Sequence, residues 1–115
     1  MLAAITAHYL ELSAAVDTMP PVVDFAHMAG KYLVDTVNAT ATCGNTLEDG
    51  GTPTRAAAAE GIASCDAFLF AISVLDPLSD PAGAPQDEPD WVTSVKASVR
   101  ATRATFETLA AAALE

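Results

Sequence analysis

The sequence predicts an all-α fold, a four-helix antiparallel up-and-down bundle in a single domain over residues 1–115, and three observations carry that prediction. Apolar side chains recur at alternating three- and four-residue steps in four separate stretches, the period of one helix face. Prolines and glycines fall between the stretches, where helices must stop. At 115 residues, 51% of them hydrophobic, the chain is long enough to bury one core and too apolar for disorder.

The first helix is expected over residues 2–18, with Leu2, Ile5, Tyr9, Leu12, Val16 and Met19 as its seam. Met19-Pro20-Pro21 ends it, because proline disfavours helical geometry in the residue before it. The short connection predicts a second helix folding back over 21–42. Val22, Ala26, Ala29, Leu33, Val37 and Thr40 would face inward. Gly30 weakens that helix by about 1 kcal/mol, which calls for a close neighbour. Cys43-Gly44-Asn45 reads as its stop, followed by a loop through Gly50-Gly51.

Thr52 and Pro53 form the expected cap and first residue of a third helix over 53–76. This helix contains the most apolar run of the chain, residues 67–75. Its deepest stripe is predicted to be Ile62, Cys65, Leu69 and Ile72, with Gly61, Phe68 and Leu75 beside it. A second apolar line, Ala63, Ala67, Phe70 and Val74, lies well round the same helix. A helix apolar on two sides has to be covered on two sides. These four residues are therefore the expected interface. Residues 77–87, rich in proline and glycine, are expected to be a mobile loop. The fourth helix, over 88–113, carries the cleanest seam: Val92, Val95, Val99, Thr102, Phe106, Leu109 and Ala113.

The net charge of −10 repels nucleic-acid phosphates and anionic membrane surfaces, so neither partner is expected. The longest apolar run is too short to span a bilayer, and the first residues lack the basic start of a signal peptide. The expected location is the cytoplasm, bacterial or that of a host cell for a viral gene. Cys43 and Cys65 read as buried free thiols, because an antiparallel pairing of the second and third helices sets them too far apart for a disulfide.

One constellation points to chemistry. His8 and Glu11, and again Asp24 and His27, stand three residues apart, a spacing that puts a carboxylate and an imidazole on one helix face as in bundle metal sites. Asp66 and Glu107 are the candidate inward carboxylates to complete such a centre. Asp66, inside the apolar half of the third helix, is also the candidate buried acid, set against the commoner reading of a single wet line. Lys96, Arg100 and Arg103 form a basic line too short for a nucleic-acid groove. Gly-x-Ser-x-Gly, Gly-Lys-Ser/Thr and Gly-x-Gly-x-x-Gly signatures are absent.

The sequence therefore leans away from an enzyme. It is expected to need no cofactor and to act through protein contacts, as a homo-oligomer or an assembly subunit, with phage and host-interaction systems among the settings that fit. The alternative is a bundle that binds a small ligand or a metal through His8, Glu11, Asp24 and His27, enzymes included.

Overall fold

The computed structural model describes residues 1–19, 28–73 and 90–113. Four helices make up the described chain: α1 (Leu2–Asp17), α2 (Met28–Glu48), α3 (Arg55–Ser73) and α4 (Asp90–Ala112). Strands are absent among the described residues. Each helix packs against its neighbours in sequence, and α4 closes the ring onto α1, so α1 and α3 occupy opposite corners, as do α2 and α4. None of the described helices is long and apolar enough to cross a membrane.

The core is one cluster drawn from all four helices. α4 contributes Val92, Val95, Val99, Thr102, Phe106 and Leu109, with Ala113 just beyond its end, and all are buried as their spacing predicts. In α1 the seam is only half realised: Ile5 and Leu12 are buried and Ala15 joins them, whereas Leu2 and Tyr9 remain exposed.

α3 turns slightly from the predicted orientation. Its buried line is Ala58, Gly61, Cys65, Phe68 and Ile72, and Ile62 and Leu69 are only half-buried. The reason is the fit against α4. A Cβ at Gly61 would lie 2.6 Å from the Phe106 ring, so the missing side chain is what lets that ring occupy the seam.

Three threonines, Thr36, Thr40 and Thr102, are fully buried. Each donates its hydroxyl to a carbonyl one turn back, on Tyr32 (2.8 Å), Val37 (2.6 Å) and Ser98 (2.7 Å). A buried hydroxyl satisfied inside its own helix presents its methyl to the core and leaves no unmet polar group.

Two predicted boundaries are corrected. α2 runs through Gly44 and continues to Glu48, past the stop expected at 43–45. Gly44 is a contact glycine, with Ile5 Cγ2 of α1 only 3.1 Å from where its Cβ would stand. The stop is Gly50, at φ 86°. Gly51 N–H reaches back to Thr46 O at 2.9 Å and Gly50 N–H to Leu47 O at 3.0 Å. That pair of bonds is the Schellman closure, which needs a left-handed residue.

At the other end of this connection the cap of α3 is Thr54, two residues beyond the expected Thr52. Its hydroxyl accepts the Ala57 N–H at 3.1 Å, while the helix starts at Arg55. Gly30, expected to admit a close neighbour, has the Met19 sulfur 3.3 Å from its would-be Cβ. The predicted parts of the first connection, the end of the third helix and the 77–87 loop lie outside the described residues.

Candidate functional site

The expected interface residues divide by exposure. On α3 the buried line faces α2 and α4, and Ala63 and Phe70, two turns apart, emerge on the opposite side. Phe70 is 76% exposed, the most open of the large apolar side chains among the described residues. Ala63 is exposed beside it and Ala67 is half-buried toward the flank; Val74 lies outside the described residues. A helix that sends Phe68 and Ile72 inward and Phe70 outward is apolar on both faces, which is how an unusually apolar run remains one helix of a bundle.

The candidate metal residues are engaged otherwise. His8 Nε2 lies 2.9 Å from Thr105 Oγ1 of α4. The Thr105 hydroxyl donates to Ala101 O at 3.3 Å, so it accepts from the imidazole, and the Nε2–H tautomer satisfies both groups. Glu11 accepts from Ser98 Oγ at 3.3 Å on the same helix. The His8 and Glu11 spacing therefore serves the α1–α4 seam. Asp24 and His27 lie outside the described residues, and no group of three or more His, Cys, Asp or Glu side chains suited to a metal occurs among the described ones.

Asp66 is exposed, with 54% of its side chain open, and it is not a buried acid. Arg103 donates to it from Nε at 2.7 Å and also pairs with Glu107 one turn along α4. Glu107 is likewise open to solvent. Both candidate inward carboxylates are thus outward partners of one guanidinium bridging α3 and α4, whose pKa is raised by the hydrogen bond and charge of Asp66. The basic line predicted on α4 is in part this intrachain bridge.

Neither cysteine is poised as a nucleophile. Both are buried and free. Burial pushes the Cys65 thiol up to about 12, with the adjacent Asp66 charge adding to the rise and Arg103 and Thr36 opposing it in part. Burial also raises Cys43. A thiol held protonated in this way is inert near neutrality.

Open grooves separate neighbouring helices. The α1–α4 groove, about 510 Å³, is lined by Ala14, Thr18, Trp91, Ser94 and Ser98 among others. The α2–α3 groove, about 380 Å³, is bordered by Asp35 and Glu60. These linings can hydrogen-bond a passing polar group; the Ser98–Glu11 pair lies in the α1–α4 groove, and no histidine or cysteine lines either groove. The chain matches no known protein family, curated protein or solved structure.

Sequence reasoning missed the role of Trp91, which borders the first turn of the α4 seam. Its indole N–H points to Ala15 O at 3.2 Å and Thr18 Oγ1 at 3.3 Å, fastening the end of α1 to the start of α4. The signal was its place one residue before the seam residue Val92, at the flank rather than the centre of the buried face.

Proposed function

We propose that this protein is a non-enzymatic, acidic helical bundle of antiparallel up-and-down topology that works through protein contacts, as a homo-oligomer or assembly subunit in the cytoplasm. The topology is supported by the order of contacts between helices. Along α1, His8, Glu11 and Ala15 meet Thr105, Ser98 and Trp91 of α4 in descending order. Ile5 of α1 and Met19, two residues past its end, meet Gly44 and Gly30 of α2 in the same opposed sense.

The observation that carries the functional reading is Phe70, a 76% exposed aromatic ring on the face of α3 turned away from the core. Large aromatic side chains are the commonest anchors of protein interfaces. The engaged state of His8, Glu11, Asp66 and Glu107 and the protonated thiols favour contact over catalysis. The charge of −10 favours a protein partner over nucleic acid or an anionic membrane.

Light scattering behind size exclusion, at low and high salt, tests the reading. A species that resists salt and is reduced in mass by Phe70→Ser, with helical circular dichroism retained, is the expected result. A species unaffected by Phe70→Ser removes α3 as the interface, and loss of the helical signal returns Phe70 to the monomer's own packing.

A further inference from the structure

Only Ile5, Leu12 and Ala15 of α1 are buried. On the opposite side of the same helix Ala3, Ala7, Leu10 and Ala14 are all exposed, and Leu10 is 61% open. Leu2 and Tyr9 border this face at 40% and 38% exposure. The first ten residues contain no Asp, Glu, Lys or Arg, in a chain with 15 acidic residues. The neighbouring edge of α4 continues the same surface. Ala101 sits one turn from Ser98 and Thr105, which bond to α1, and Ala97 and Ala104 beside it are exposed.

We propose that this outward face of α1 is a self-association surface, on which α1 of a second copy packs antiparallel about a two-fold axis near Leu10. The inference does not rest on the α3 reading, because α1 and α3 stand at opposite corners of the ring.

Two features select a second copy. The first is spacing. Ala3, Ala7, Leu10, Ala14 and Asp17 follow steps of four, three, four and three, so the line reads nearly the same in both directions from Leu10. Turned over on itself, it sets Leu10 beside Leu10 of the partner subunit and the small Ala7 near Ala14 of the partner subunit. Small residues flanking one large one let two backbones approach while the leucines interlock. A two-fold contact needs such self-complementarity.

The second feature is charge. Asp17 is the only acid on this line, and it stands in the last turn of α1, where the helix dipole is negative. The first turn has no acidic residue, and Met1 provides no side-chain cap. α1 spans about 24 Å at the helical rise, so antiparallel pairing places Asp17 of each copy over the uncapped N-terminus of the other. A carboxylate moves from the wrong end of its own helix to the right end of its partner's, twice per dimer. Two molecules of charge −10 repel, and the first ten residues, which supply Ala3, Ala7 and Leu10, add no Asp or Glu to that repulsion.

Light scattering of the full chain across a concentration series, combined with cysteine cross-linking, tests the proposal. The expected results are a wild-type dimer weakened roughly tenfold or more by Leu10→Glu, and rapid disulfide formation between copies by Leu10→Cys but not by Ala3→Cys. Because Leu10 is exposed, both variants should keep the circular dichroism of the parent; if Leu10→Glu unfolds, Leu10→Cys still decides. A wild type that stays monomeric at every concentration overturns the proposal. So does a dimer that Leu10→Glu leaves intact and Phe70→Ser dissolves, an outcome that supports the α3 reading instead. Cross-linking through Ala3→Cys would indicate parallel pairing and overturn the antiparallel arrangement.

Discussion

α4 and α1 pack side by side and solve the same problem differently. α4 places all its large apolar residues except Trp91 on one buried seam and surrounds it with Lys, Arg, Ser and Thr, so its sequence and its orientation agree. α1 is apolar nearly all round, buries three residues, and leaves Leu2, Tyr9 and Leu10 in the open. Segregation of polarity, more than total hydrophobicity, orients a helix. Where polarity does not decide, contacts do: α1 is held by the His8–Thr105, Glu11–Ser98 and Trp91–Ala15 bonds to α4 and by the seat of Ile5 on Gly44.

The contrast can be broken most forcefully at Phe106, a fully buried ring in the α4 seam. Phe106→Ala should cost about 3–5 kcal/mol, read from urea unfolding, and a loss below 1 kcal/mol would mean the seam does not organise the core. Within α1 the same substitution should divide by face. Leu12→Ala is expected to cost about 2–5 kcal/mol, while Leu10→Ala in dilute solution should stay within about 0.5 kcal/mol. Equal effects would erase the distinction between the two sides of the helix.

Gly61→Ala sharpens the α4 side. Alanine is the better helix former by about 1 kcal/mol, yet its Cβ would sit 2.6 Å from the Phe106 ring. A net loss of about 1–3 kcal/mol from overpacking is expected, and a gain would show that the ring has room to move. Trp91→Phe removes the indole bonds between the two helices and should cost about 0.5–1.5 kcal/mol, concentrated in the hydrogen-exchange protection of α1.

The smallest effect is a difference in rates. Both thiols should resist alkylation at pH 8, and Cys43, next to the Gly44 seat of α1, should react before Cys65 if α1 loosens locally. The ordinary thiol value is 9.0 and that of Cys65 in the fold is about 12. Between those values the unfolded chain releases protons that the folded chain keeps, so this thiol makes the protein less stable as pH rises through that window.

The same comparison explains what was legible beforehand. The α4 seam was fully legible because its polar residues mark the face that is not buried. In α3 the surplus of apolar residues was legible but its rotation was not, since Phe68 and Leu69 are equally apolar and only the space at Gly61 favours one over the other. Gly44 and Gly50 look alike in sequence, yet one admits a neighbouring side chain within a helix and the other ends that helix with a positive φ. The outward line at Ala63 and Phe70 was readable from spacing. The outer face of α1 was not, because Leu2 and Tyr9 share the period of the core residues. His8 and Glu11 showed the right spacing for a metal and serve a helix–helix seam, a use that spacing alone does not separate from coordination.

Trp91 is the chain's one tryptophan, and its indole N–H rests on the backbone of a helix 76 residues earlier in sequence. The molecule thereby carries its own optical probe at the joint between its first and last helices. Emission from that single fluorophore will follow the docking of α1 on α4, whereas far-ultraviolet ellipticity follows helix content throughout the chain. Any interval between the two signals during denaturation measures directly how far α1 departs before the remaining helices do.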